Sequence, residues 1–174
     1  MKISKIKKII MNRKYMMIRE DEWHKQWIGD GCAMYCIEGM PKMTQLQLLR
    51  FLDIPEEKHG DIQIDERFGF ELADKLDDAD LSVIVTQTDE LNIKGHEYAA
   101  LTDSDGTTIF VDPEYLKPTE DPERRIVITE DGWAATYDGM FLNSIIGRLL
   151  PQDEVKLRVS EIYSALCKWQ KSGE

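Results

Sequence analysis

Apolar positions recur along the chain in two rhythms, one near 3.6 residues and one of two, and together they predict most of its elements. Thr44 with Gln47 three residues later forms a capping-box signature, Leu46, Leu49 and Leu52 make an apolar stripe, and Pro55 stops the pattern, so a helix is expected over MTQLQLLRFLDIP. Upstream, Trp27 and Ile28 precede Asp30-Gly31, and Ala33, Tyr35 and Ile37 follow it at alternate positions. That is the pattern of a hairpin. A short strand, DIQID, leads into a second expected helix from about Glu66 to Asp78, with Phe68, Leu72, Leu76 and Ala79 on one side and Glu71, Asp74 and Asp78 opposite. Leu81–Thr88 is β-branched and reads as an inner strand.

Further along, HEYAALTDSDGTTIFVDPEYLKP predicts a hairpin turning at Asp105-Gly106, then one helical turn capped by Asp112 with Pro113 at its start. Pro118 and Pro122 bracket an acidic connector, and RIVITEDGWAATYDG predicts another hairpin at Asp131-Gly132. Two helices are expected to close the chain. MFLNSIIGRLLP ends at Pro151, and the last carries Val155, Val159, Ile162, Tyr163, Leu166 and Trp169 at helical spacing before Gly173. The expected class is α+β, with a mostly antiparallel sheet built from hairpins and about four helices, two of them C-terminal and amphipathic.

A weak internal echo accompanies this pattern. Asp30-Gly31-Cys32-Ala33 and Asp131-Gly132-Trp133-Ala134 each follow an apolar pair, and each leads through Gly-Met (Gly39-Met40, Gly139-Met140) toward an expected helix. Duplication would produce it, and so would the frequency of Asp-Gly in hairpins.

At 174 residues and 42% hydrophobic content, one domain with one sizeable core is expected. Charge divides the chain: residues 1–18 hold six Lys or Arg and no acid, and the remainder holds 16 basic against 33 acidic groups, a balance of −17. Residues 1–18 are therefore read as a basic leader, disordered or an extension of the start, ahead of an α+β domain over 19–174. Lysines interrupt every apolar run in the leader, which excludes a secretory signal, and nowhere do 18 apolar residues stand together. Three cysteines, an odd number, fit free thiols in a reducing cytoplasm.

Candidate chemistry is sparse. In a strand, Cys32 and Cys36 stand about 13 Å apart at ~3.3 Å per residue, too far to share a zinc with bonds of about 2.3 Å, so they read as core residues. His24, His59 and His96 are scattered, with no nucleophile pattern around them. DSDGTTIFVD resembles the start of a calcium loop, but aligning Gly106 with the loop's glycine puts Leu101 where the first ligand belongs. Glu154 and Lys156 have a nuclease-like spacing on an expected helix, where residues two apart point to different sides. No phosphate-binding glycine loop occurs, and no cofactor or metal is expected.

What remains is the acidic surface. Residues 56–80 hold ten acidic against three basic groups. Carboxylates two apart on a strand, or one turn apart on a helix, are spaced by about 6 Å, near the spacing of successive phosphates. Asp61, Asp65, Glu71, Asp74, Asp77, Asp78 and Asp80 are the candidate partner-binding residues. Such a surface repels nucleic acid and anionic membrane and favours a basic protein.

The segments MIREDEWHKQWIGDGCAMYCIEGMPKM and HEYAALTDSDGTTIFVDPEYLKP resemble the small acidic accessory proteins of Firmicutes mobile elements, a group that includes inhibitors of type II CRISPR nucleases. The resemblance covers 50 residues and assigns a role to no individual one. It implies action by occupying a nucleic-acid or target-recognition surface. The expected function is non-enzymatic binding of a basic nucleic-acid-handling protein, such as a CRISPR nuclease. The alternatives are a metal-dependent carboxylate hydrolase and a structural homo-oligomer packing through Trp23, Trp27 or the final helix.

Overall fold

A computed structural model describes residues 1–70, 85–93, 95–129 and 131–149. The chain opens with helix α1 (Ile3–Arg13), which ends where Lys14 turns left-handed, and continues through strands β1 (Tyr15–Asp21), β2 (Gln26–Gly29) and β3 (Ala33–Cys36). Helix α2 (Gln45–Phe51) and a 3-10 turn (Glu56–Asp61) lead to β4 (Gln63–Phe70). Strands β5 (Thr86–Ile93), β6 (His96–Thr102) and β7 (Thr108–Val111) come next, followed by the short helix α3 (Pro113–Leu116) and a 3-10 turn (Lys117–Thr119). Strands β8 (Arg125–Ile128), β9 (Ala134–Asp138) and β10 (Phe141–Ile146) complete the described elements.

Seven strands form one sheet in the order β4-β1-β2-β3-β10-β9-β8, and three form a second in the order β5-β6-β7. Every pairing is antiparallel except β1 with β4. The α+β class with a mostly antiparallel sheet is as expected.

Both faces of the large sheet are apolar, and the period of two assigns each side chain. Met16, Ile18, Ile28, Ala33, Tyr35, Ile126, Ala134 and Ile146 point to one side. There they join Ile6, Ile9 and Ile10 of α1, Leu48 and Leu49 of α2, Leu101 and Val111 of the small sheet, and Tyr115 and Leu116 of α3. The alternate positions, Trp27, Met34, Cys36 and Ile145, form a second cluster on the other side, continued by Val127, Ala135 and Tyr137. Strands β2 and β3 are therefore buried at every position.

Several expectations hold at the level of single residues. Thr44 and Gln47 make the reciprocal capping box of α2. Asp112 caps α3 by accepting from the Glu114 amide at 2.9 Å, with Pro113 at the first helical position. The Asp-Gly dipeptides at 30, 105 and 131 all sit in the turns that join antiparallel strands.

Four expectations change. Residues 1–18 are not a detached leader: Ile6 and Ile10 are fully buried, Met16 and Ile18 lie in an inner strand, and the Lys2 amide donates to the Pro118 carbonyl at 2.6 Å. Its lysines face acids of the body, Lys2 to Glu120 at 2.9 Å, Lys7 to Asp53 at 2.9 Å and Lys8 to Glu114 at 3.1 Å. Residues 1–18 thus count with the body, and the relevant balance is the whole-chain −11 rather than −17. Residues 66–70, expected to begin a helix, belong to β4, where Met16–Glu20 supply a parallel partner at every position from Ile64 to Phe68. The rest of that expected helix lies outside the described residues, as does the final helix.

Residues 141–146, expected to be helical, form β10, which is paired on both sides. Pairing leaves Ser144 buried, and its hydroxyl meets that of Thr136 across the strands at 2.7 Å. Finally, the described part of the expected inner strand at 81–88 belongs from Thr86 to β5, which stands at the end of the order β5-β6-β7 among the described strands, with Thr86 and Gln87 exposed. Residues 81–84 lie outside the described set.

The echo does not follow the sheet's symmetry. Meander β1-β2-β3 and meander β8-β9-β10 meet along β3 and β10, so the strand equivalent to β2 is β9 and the turn equivalent to Asp30-Gly31 is the one at Gly139. Asp131-Gly132 sits one hairpin out of register, and its block leads into a strand rather than a helix.

Candidate functional site

Two of the seven acidic candidates, Asp61 and Asp65, lie among the described residues, and their surroundings differ. Asp61 is exposed at the end of the 3-10 turn before β4. Asp65 is a structural residue: in β4 its carboxylate accepts from the Tyr15 hydroxyl at 3.0 Å and pairs with Arg19 at 3.4 Å, with only 21% of its side chain exposed. Glu71, Asp74, Asp77, Asp78 and Asp80 lie outside the described residues.

Sequence reasoning passed over the acids nearest Asp61. Asp53, Glu56 and Glu57 are exposed on the connection between α2 and β4, and Glu66 is exposed on β4. The signal was present, since two of them open the acidic tract. Lys7 pairs with Asp53 and Arg50 with Glu56 at 3.1 Å, but surface pairs of this kind contribute about 0–1 kcal/mol and leave the local field acidic.

The histidines stay apart. His24 holds Glu20 through Nδ1 at 2.8 Å, His59 donates from Nε2 to the Ile54 carbonyl at 2.8 Å, and His96 is exposed on β6. Asp103 accepts from the Asp105 and Thr107 amides at 3.0 and 2.8 Å, a local arrangement that holds the hairpin turn. Among the described residues no three His, Cys, Asp or Glu side chains converge as metal ligands. Glu154 and Lys156 lie outside the described set. Cys36 is buried against Trp27, Met34 and Ile145, and burial pushes its thiol up to about 11. Cys32 is exposed in the β2-β3 turn, so only one of the pair is a core residue.

A buried polar cluster lies where α1, the β2-β3 turn and α3 meet. Asp30 is buried, with 1% of its side chain exposed. Its Oδ1 accepts from the Cys32 and Ala33 amides at 3.0 and 3.1 Å, fixing a turn in which Gly31 adopts φ +84°. Its Oδ2 accepts from the Tyr115 hydroxyl at 2.6 Å and lies 3.6 Å from Nε of Arg13. The Tyr35 hydroxyl in turn donates to the Tyr115 carbonyl at 2.9 Å. A neighbouring cleft of about 260 Å³ is lined by Ile9, Asn12, Arg13, Asp112, Glu114 and Tyr115.

This cluster is built to hold elements together rather than to move protons. Burial, then the Asp30 carboxylate, pushes the Tyr115 phenol far above its ordinary range, and burial does the same to Tyr35. Both phenols stay protonated as donors. The Asp30 oxygens already accept from two amides and a phenol, and the Arg13 guanidinium stands 3.6 Å away as a counter-charge. Among the described residues, no buried side-chain nitrogen or oxygen lacks a partner.

Against known proteins, no family, no curated protein and no solved structure matches this chain. Among the described residues, no helix is long and apolar enough to cross a membrane.

Proposed function

We propose that this is a non-enzymatic cytoplasmic binding protein whose acidic surface engages a basic nucleic-acid-handling protein. One observation carries the proposal. The exposed tract Asp53, Glu56, Glu57, Asp61 and Glu66 has Lys58 as the exposed base within the same stretch, on a chain that carries 33 acidic against 22 basic residues. Glu56, Glu57 and Asp61 stand on the 3-10 turn and Glu66 on β4, and such a concentration of exposed carboxylates favours a groove whose positive field otherwise accepts phosphates. The resemblance to acidic accessory proteins of mobile elements nominates a type II CRISPR nuclease as the basic protein.

Binding to a guide-loaded type II nuclease tests this directly. The expected result is affinity that falls steeply between about 0.05 and 0.5 M salt, competition by target DNA, and loss on Glu57→Lys with Asp61→Lys. Affinity insensitive to salt, or no competition by DNA, overturns the electrostatic mechanism. No binding at low salt overturns the nuclease as partner.

A further inference from the structure

Six large apolar side chains are exposed among the described residues, and four of them, Trp23, Met40, Met140 and Phe141, belong to one rim of the seven-stranded sheet. Strand direction puts them there. β1 and β3 run toward this rim and β2 and β10 start from it, so the β1-β2 turn, the exit of β3 and the β9-β10 turn lie side by side. Lys25 ties the row together: its Nζ is 3.0 Å from Oε1 of Glu38 and 5.7 Å from the centre of the Phe141 ring.

The row is displayed on firm support. The buried Asp21 accepts from the Trp23 and Lys25 amides at 3.0 and 2.8 Å and from Nε1 of Trp27 at 2.9 Å, which fixes the turn carrying Trp23. From the β1-β2 turn to the β9-β10 turn is two to three strand spacings, roughly 10–15 Å. That is about the width of one α-helix with its side chains. Aromatic and methionine side chains are the types enriched where proteins dock, because they supply area with adaptable shape.

Charge selects the occupant. Glu20, Glu22, Glu38 and Asp138 flank the row, against Lys25 and Lys42, and these two lysines, with the His24 ring, already face Glu38 or Glu20. The rim is therefore apolar with an acidic border. A second copy would bring the same border and another −11 of charge against it. We propose that the rim formed by Trp23, Met40, Met140 and Phe141 docks a Lys- or Arg-rich amphipathic helix of a partner protein. This surface is distinct from the acidic tract, so the two proposals fail separately.

The probe is a fluorescently labelled, amphipathic Leu/Lys helical peptide of about 18 residues, titrated with the full-length protein. Two controls replace Leu by Ser or Lys by Glu. The Leu/Lys peptide should bind about tenfold more tightly than either control. The double variant Met140→Ser, Phe141→Ser changes exposed positions and should lose about tenfold, whereas Asp61→Lys should change affinity by less than about twofold. No binding of the Leu/Lys peptide, equal binding of a control, or unchanged binding by the double variant overturns the proposal. A dimer in sedimentation that the double variant dissociates also overturns it, by making the occupant a second copy.

Discussion

The Tyr115 hydroxyl donates a 2.6 Å hydrogen bond to the Asp30 carboxylate across 85 residues of sequence, joining the only buried turn acid of the β2-β3 hairpin to helix α3. Through Arg13 the same carboxylate reaches the end of α1. Three elements distant in sequence therefore share one acceptor.

Tyr115→Phe should lower unfolding stability by about 2 kcal/mol, because a hydrogen bond to a charged acceptor is lost inside the protein. Asp30→Ala should cost more, since it also releases the Cys32 and Ala33 amides. Urea midpoints at constant slope check both. Equal stability of Tyr115→Phe and the parent would show that the phenol finds water instead.

Helix α1 gives a second outcome. Ile10 is fully buried in the main core, so Ile10→Ala should cost about 2–4 kcal/mol, while Lys5→Ala on the exposed side should change stability by less than about 0.5 kcal/mol. A detached leader would make the two variants alike. Thermal or urea unfolding separates the cases.

Acid should loosen the attachment of α1 and its neighbours. Lys117 and then Lys8 hold the Glu114 carboxyl below its ordinary 4.5, and Lys2 does the same to Glu120. For a carboxyl depressed in the folded state, the folded form binds fewer protons than the unfolded one near pH 4.5. Its stabilisation is complete above that value and disappears as pH falls through the lower folded value. Urea midpoints should therefore fall below about pH 4.5, and Glu114→Gln should flatten part of that slope.

The two described thiols should behave oppositely. Cys32 is exposed and should react with iodoacetamide in the native protein, whereas Cys36 should be protected until the sheet opens. Tandem mass spectrometry of the peptide holding both gives the assignment. Because burial raises the Cys36 thiol from 9.0 to about 11, the unfolded chain loses that proton first. Stability should decline as pH rises from about 9 toward 11, and Cys36→Ser should remove that component.

Local chemistry was the legible part of the sequence. Thr44 with Gln47, Asp112 with Pro113, and the Asp-Gly turns specify their own backbone geometry and hold as read. Residues 141–146 were ambiguous because Phe141, Leu142, Ile145 and Ile146 satisfy a helical stripe, and only partners on both sides make a strand of them. Glu66–Phe70 failed in the same way, its strand state resting on β1 some fifty residues earlier. In α1 the lysines drew attention away from Ile3, Ile6 and Ile10, whose spacing already marked a buried stripe. The Asp30 cluster was invisible because its members meet only after α1 and α3 dock. Asp65 misled for a related reason: a carboxylate counted as surface charge had its own tyrosine and arginine waiting.

The seam between β3 and β10 sets Tyr35 beside Ser144 and Ala33 beside Ile146. No nascent chain can zip that seam until residue 146 has cleared the ribosome, so the first meander emerges with an open, wholly apolar margin on Met34 and Cys36 and must wait. Synthesis thus passes through a vulnerable interval in which a chaperone, or a second unfinished chain, has access to a strand that the completed protein buries at every position.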